Sequence, residues 1–234
     1  MRDAKLLVSS AVMVCIFSMA SIVDAKSVFA VASHSNSTVK AYLIDGDKID
    51  YQATIKDTES FGDGATGLCV WPSVERLFVT YEGSPTISWA STKTLKRDND
   101  DEIEAPESNL AGIVADETFG VLYVVTRWGG HLYTYTFDEE EDTLVLVHPN
   151  DPAHPNRKYR QLEGLENGST YGLALDEEGG EPVLGIATGL LYVANGTTTV
   201  RYYNTMTWDC KGSVDMEEAV CGLDVDGDEY LERR

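Results

Sequence analysis

The chain has few basic residues for its length. Its 234 residues include 18 Lys and Arg against 39 Asp and Glu, which gives a formal net charge of −21. Nucleic acids and anionic membrane surfaces are themselves polyanions, so a surface of this charge repels them. The composition therefore argues against both as partners, although acidity alone selects no substrate.

The motifs of several common enzyme classes are also missing. The sequence contains no Gly-x-Ser-x-Gly elbow, no Walker loop and no Cys-x-x-Cys pair, and Gly129-Gly130 is typical of a turn rather than a phosphate-binding loop. The four histidines, at positions 34, 131, 148 and 154, lack a metal-ligand spacing such as His-Glu-x-x-His. We therefore predict no catalytic residues and no cofactor, and surface positions for the histidines.

Long helical patterns are absent after residue 26. The apolar segments are short and rich in Val, Tyr, Leu and Thr, with Gly and Asp at the bends, which favours β-strands. The segment Leu132–Phe137 alternates aliphatic or Thr residues with aromatic ones, a period of two. These patterns predict an all-β protein.

A short cassette recurs in which Gly is followed four residues later by Asp. It occurs as Gly112/Asp116, Gly172/Asp176 and Gly222/Asp226, and in altered form as Gly67/Trp71. An insertion within residues 178–189 lengthens the copy that begins at Gly172. Units of four short strands repeating every ~40–50 residues are typical of β-propeller blades. The alternative is an irregular β-sandwich whose hairpins resemble one another by chance.

We accordingly predict a β-propeller domain over residues 26–234, with about four blades and the start of a fifth. The blades cover residues 27–57, 65–104, 110–148 and 170–214, and the partial unit covers residues 220–234. Four blades and a fragment do not complete a typical ring. Either this is the N-terminal part of a longer propeller, or a small ring closes by strand exchange from the N terminus.

Residues 1–25 have the pattern of a secretory signal peptide. Arg2 and Lys5 precede an apolar core that reaches Ala20, and small residues mark cleavage sites at Ser18–Ala20 and Val23–Ala25. A retained anchor is the alternative, but an apolar run of about 15 residues is short for a membrane span. We expect a secreted protein with no membrane span after cleavage.

One signature resembles a known family. Tyr192-Val-Ala-Asn195 differs by one letter from the Tyr-Val-Thr-Asn signature of surface-layer propellers. Together with the cassette, it makes the chain similar to the YVTN/YncE-like and NHL-like secreted propellers of bacteria and archaea. The resemblance implies an extracellular or cell-envelope β-propeller and leaves the activity open, because such blades serve binding proteins, lactonases and lyases alike.

Three functions follow as hypotheses. The first is a non-catalytic scaffold that binds a protein or glycan partner at the cell envelope through one face of the ring. The second is a propeller-type lactonase or lyase, in which a metal in the central channel would polarise a carbonyl. The third is a purely structural envelope protein. The loop Pro149–Arg160 is the best local candidate for a binding surface, since such loops commonly carry function.

Several residues are candidates for modification or ion binding. The sequons at Asn36, Asn167 and Asn195 are glycosylation candidates. Asp224, Asp226 and Asp228 are spaced like ligands of a calcium loop, but the Gly that such a loop needs is absent. Cys210 and Cys221 are the candidates for a disulfide, with free thiols as the alternative, and Cys69 is expected as a buried free thiol.

Overall fold

The structure is a computed structural model that describes residues 12–17, 27–33, 38–45, 48–56, 64–95, 101–149, 154–166, 169–183, 186–220, 223–225 and 231–233. These residues form β-strands and one 3₁₀ turn, Pro72–Val74, with no α-helix among them. The all-β prediction is confirmed. In the described part, no helix is long and apolar enough to cross a membrane.

The strands form consecutive antiparallel sheets, in which strands that follow one another along the chain are neighbours, with one exception in the third sheet. The first sheet contains β1 (Val12–Phe17), β2 (Ser27–Ser33), β3 (Thr38–Asp45) and β4 (Lys48–Lys56). The second contains β5 (Ala65–Trp71), β6 (Arg76–Tyr81), β7 (Thr86–Ser91) and β8 (Glu102–Glu104).

The third sheet contains β9 (Leu110–Asp116), β10 (Val121–Thr126), β11 (His131–Asp138), β12 (Thr143–Val147) and β13 (Arg160–Gln161), which pairs with the start of β11. The fourth contains β14 (Leu173–Val183), β15 (Ile186–Ala194), β16 (Thr199–Asn204) and β17 (Cys210–Asp215). The last element is a hairpin of β18 (Leu223–Val225) and β19 (Leu231–Arg233).

Two elements differ from the sequence-based expectation. The first sheet starts before residue 27, because β1 lies in the apolar core of the predicted signal peptide and pairs with β2 from Val12–Ser33 to Phe17–Val28. Its Val, Ile and Phe residues are good strand formers, which is why the same letters fit both descriptions. The insertion at residues 178–189 lengthens β14 and β15 into a long hairpin with register shifts after Asp176.

Each sheet is packed against the next along the chain, and both faces of the middle sheets are buried. The alternation in β11 shows this directly. Tyr133 and Tyr135 lie in a core shared with Phe78 of the second sheet, whereas Leu132 lies in a core shared with Leu191 of the fourth. Period-two side chains on both faces therefore hold three sheets together.

The cassette glycines lie where inner strands approach each other most closely. A Cβ atom on Gly112 would lie 2.7 Å from the backbone N of Leu173, at the start of β14. A Cβ atom on Gly67 would overlap the carbonyl oxygen of Ala111 in β9. At Gly67 and Gly112 the cassette Gly is thus required by the packing of one inner strand on the next.

Candidate binding site around Trp128

The loops that join the second, third and fourth sheets meet at one end of these sheets, which we call the connector end. Ala105 donates its N–H to Pro85, and Arg127 donates its N–H to Asn109. Thr170 in turn donates its N–H to the carbonyl of Arg127. These backbone bonds fix the β6–β7 turn, the β8–β9 loop, the β10–β11 turn and the start of the fourth sheet as one surface.

Trp128 projects from the β10–β11 turn at this end. Thr126 closes the turn, since its hydroxyl donates to the Trp128 carbonyl (2.7 Å) and accepts the N–H of His131 (3.3 Å). Gly129 and Gly130 follow with φ of 80° and 61°, a left-handed conformation that favours glycine. Trp128 stays 56 % exposed although the turn beneath it is fixed.

Arg127 connects this turn to both neighbouring sheets. Its guanidinium forms an ion pair with Glu82 in the β6–β7 turn and donates a hydrogen bond to the hydroxyl of Tyr171 (2.8 Å), just before β14. The same group lies 5.4 Å from the centroid of the Trp128 ring and 4.7 Å from that of Tyr171. The cation is therefore neutralised by Glu82 and supports Trp128 through a cation–π contact.

A second cluster lies beside the turn. The Nδ1 atom of His131 is 2.7 Å from a carboxylate oxygen of Glu107, and the imidazole stacks on Tyr159 with ring centroids 3.8 Å apart. The Arg157 guanidinium lies 5.7 Å from the Tyr159 ring centroid. Burial, and next the negative charge of Glu107, raise the pKa of Tyr133, so its hydroxyl stays protonated. Through the stacking of Tyr159 on His131 and the contact of His131 with Glu107, the loop between β12 and β14 is tied to the β8–β9 loop.

Between these groups lies an open depression of about 400 Å³. Its lining consists of Pro106, Glu107, Ser108, Asn109, Thr126 and Trp128. It combines one large aromatic face with a carboxylate, an amide and two hydroxyl groups. The lining is mostly polar, so a ligand in this open depression would meet hydrogen-bonding groups and a carboxylate beside a single aromatic face.

The opposite end of the sheets carries the cassette Asp in a structural role. Asp116 is buried, and its carboxylate accepts the N–H of Phe119 (3.0 Å) and the hydroxyl of Tyr123 (3.4 Å). Burial, which outweighs these hydrogen bonds, and the charge of Glu177 raise the pKa of Asp116 above its ordinary value. The carboxylate closes the β9–β10 turn.

The predicted modification sites are only partly covered by the described residues. Asn195 lies in the β15–β16 turn, half-buried, and its side-chain oxygen accepts the N–H of Thr197 (3.1 Å). Asn36 and Asn167 lie outside the described residues. Glycosylation at all three stays a prediction.

The structure leaves the calcium and disulfide predictions untested. Asp224 lies on β18, whereas Asp226 and Asp228 fall outside the described residues. Within the described ranges, no three His, Cys, Asp or Glu side chains are grouped as a metal site would need. Cys69 is buried, as expected, and Cys210 is half-buried on β17, but Cys221 lies outside the described residues.

Sequence reasoning missed the residues that form this site. It identified Gly129-Gly130 as a turn, which is confirmed, but it gave no role to Trp128 beside it. The Trp128 signal was available, because Gly, Pro, Asn, Asp and Ser dominate turns and tryptophan is not among them. His131 is half-buried, and its Nδ1 meets Glu107, 24 residues earlier in the β8–β9 loop. The loop Pro149–Arg160 does contribute Tyr159, while its His154 is exposed.

Comparison with known proteins leaves the family open. No family model matches the chain, and no curated protein matches it. Among solved structures, it is similar to a functionally unknown protein from Desulfotomaculum acetoxidans, with a TM-score of 0.58 and 12 % identity over 88 % of this chain and 59 % of that one. A chain of a mitotic checkpoint complex gives a TM-score of 0.49 and 12 % identity over 84 % of this chain and 50 % of that one, too low to establish a shared fold.

The chain thus spans about three fifths of the first of these structures. In all, 573 chains of solved structures match. An arrangement this widely shared carries no activity by itself. The likeness to the Desulfotomaculum protein therefore shows a common fold, and the function has to be argued from the connector end.

Proposed function

We propose that the chain is a secreted or cell-surface β-propeller that acts as a non-catalytic binding scaffold for a protein or glycan partner. The consecutive antiparallel sheets, three of them four-stranded and neighbouring ones packed on each other, support their assignment as propeller blades. The signal-peptide pattern and the sequons support an extracellular location.

One observation carries the binding proposal. Trp128 is 56 % exposed on a turn fixed by Thr126 and supported by Arg127. Exposing an indole ring on a rigid turn forgoes the stabilisation of burying it, and tryptophan, with tyrosine and arginine, is enriched at energetic centres of interfaces. A preorganised aromatic face binds at a lower entropic cost than a mobile one.

Binding of the fluorescently labelled protein to the surface of the source cells tests this proposal. Trp128→Ala should reduce binding at least about tenfold, as expected for an interface hot spot. Phe119→Ala is the matched control, because Phe119 is an aromatic side chain exposed at the opposite end of the sheets. Protease or periodate treatment of the cells then distinguishes a protein from a glycan partner. Equal binding by the two variants would overturn the proposal.

A further inference from the structure

The depression beside Trp128 carries a specific electrostatic signature. Arg127 directs its charge to Glu82 and Tyr171, outside the six lining residues, and is neutralised there. Glu107 is the charged residue among the six that line the depression. The protein as a whole carries −21 charges, and a field of this sign concentrates cations at a concave surface.

The aromatic wall has the matching chemistry. The face of an indole ring carries negative electrostatic potential, and tryptophan is the strongest of the aromatic side chains in cation–π binding. In Trp128 the ring already holds one guanidinium at 5.4 Å and keeps 56 % of the residue surface open. Because Glu82 pairs with that guanidinium, its repulsion of a second cation on the remaining surface is reduced.

We propose that this depression binds an organic cation of the alkylammonium class, with the cation against Trp128 and its charge balanced by Glu107. The inference rests on the proposed binding function and names the ligand chemistry of the same site. The ammonium group can belong to a free small molecule such as a quaternary amine or to a lysine side chain of a peptide. A neutral sugar would use the ring without the carboxylate.

Glu107 is well placed for this role because its position is fixed. One carboxylate oxygen is 2.7 Å from Nδ1 of His131, whose ring is held by stacking on Tyr159. An anchored carboxylate loses little rotamer freedom when a cation arrives. The side chain of Glu107 remains about one third exposed, with a relative accessibility of 37 %. It therefore reaches the ligand while it holds the imidazole.

NMR of the indole N–H groups in the full chain tests the inference. Trp71 and Trp89 are buried, so their signals provide internal references, and Trp128→Phe identifies the Trp128 signal. Choline should shift the Trp128 signal in a saturable way. Its neutral isostere 3,3-dimethyl-1-butanol should not shift it at equal concentration. A Lys-containing peptide and its Gln counterpart form the second arm and show whether a lysine side chain also binds.

Three variants complete the experiment. Glu107→Gln keeps a hydrogen-bonding group beside His131 and should weaken choline binding about fivefold, the scale of one partly exposed charge pair. Trp128→Leu, followed through the backbone amide signals of Gly129 and Gly130, should abolish binding, and Phe119→Leu should leave it unchanged.

The outcomes separate this inference from the proposed function. Equal shifts by choline and its isostere, or a Glu107→Gln variant that binds choline as tightly as the wild type, would overturn the cation site. Shifts by a methyl glycoside but not by choline would also overturn it, while leaving a glycan-binding scaffold in place. If no cation binds but Trp128→Ala still loses cell binding, only the ligand assignment fails.

Discussion

Glu177 accepts the backbone N–H of Glu117 across the boundary between the third and fourth sheets, at 2.9 Å. Its second carboxylate oxygen accepts the hydroxyl of Thr118 at 3.0 Å. Glu117 occupies the same place in the previous cassette, and it accepts the N–H of Ser73 in the second sheet at 3.2 Å. Glu117 and Glu177 thus each contact the turn of the preceding sheet and accept a backbone N–H from that turn.

Glu177→Gln should destabilise the protein by about 1 kcal/mol, because an amide is a weaker acceptor than a carboxylate for these two donors. Urea unfolding measures this as a lower midpoint at unchanged slope. Glu140→Gln is the matched control, since Glu140 lies exposed in the β11–β12 turn. If both variants unfold at the same midpoint, the contact between the sheets contributes nothing measurable.

Two glycines allow the energetic cost of backbone conformation to be separated from the cost of packing. Gly130 lies in the turn that carries Trp128, and Gly120 lies in the β9–β10 turn. Gly130 and Gly120 have nearly the same φ, 61° and 63°. A Cβ atom on Gly130 would overlap the Cβ of Leu165, whereas a Cβ atom on Gly120 meets nothing within 4 Å. Gly120→Ala should therefore cost about 1–2 kcal/mol for the left-handed conformation alone. Gly130→Ala should cost about 1–3 kcal/mol more, because it also overpacks the core around Leu165.

Thermal or urea unfolding of both variants measures this difference. Gly130→Ala should also change the Trp128 indole N–H signal, because the turn that carries Trp128 has to shift, while Gly120→Ala should not. Equal losses of stability in the two variants would mean that the turn is not seated on Leu165.

The sequence predicts local structure here much better than it predicts the site. Strand identity follows from residues such as Leu132–Phe137, whose alternation is a property of neighbouring positions. The cassette spacing located inner strands because the cassette Gly has to accommodate the next strand at two of its positions, Gly67 with Ala111 and Gly112 with Leu173. The contacts of Glu107 with His131 and of Arg127 with Glu82 join loops and turns that are far apart in the sequence, so no local periodicity encodes them.

The first sheet shows that a local pattern can also fit two different interpretations. An apolar segment such as Val12–Phe17 fits both a signal-peptide core and an inner strand, because both need consecutive apolar residues of high hydrophobicity. Composition alone does not distinguish these two uses. The distinction depends on processing of the chain, which an experiment on the protein has to supply.

The buried Asp116 predicts a defined pH dependence of stability. Its pKa is raised in the folded state above the ordinary value of 3.8, mainly by burial. The folded protein then binds more protons than the unfolded chain, so the contribution of Asp116 to stability is present below its ordinary pKa and is lost as pH rises through the raised value. Asp116→Asn keeps an acceptor for the N–H of Phe119 and removes this titration.

The stability of Asp116→Asn relative to the wild type should therefore improve as pH rises from just below 3.8 towards neutrality. Urea unfolding of both proteins over this range measures the relative change and cancels the titration of the other carboxylates. Asp176→Asn is a suitable comparison for the effect of burial. Asp176 occupies the equivalent place in the next cassette, but it is half-buried, whereas Asp116 is buried. A relative stability that is constant or falls with pH would contradict the assignment.

Removal of residues 1–25 should change the protection of β2 in an alternating pattern. In the full chain β2 lies between β1 and β3, so its backbone groups are paired on both sides. Without β1, every second amide of Ser27–Ser33 loses its partner, because successive N–H groups of a strand point to opposite neighbours. Those amides should exchange hydrogen at least about tenfold faster in a chain that starts at Lys26. The amides that pair with β3 should stay protected.

Hydrogen exchange followed by NMR distinguishes these amides, with β10 in the third sheet as an internal reference. Fast exchange of all the alternate amides even in the full chain would show that β1 does not pair with β2. If instead they stay protected in the shorter chain, another strand occupies the position of β1. That result would favour closure by strand exchange over an open first sheet, since an exposed edge of this length is a site for pairing with another chain.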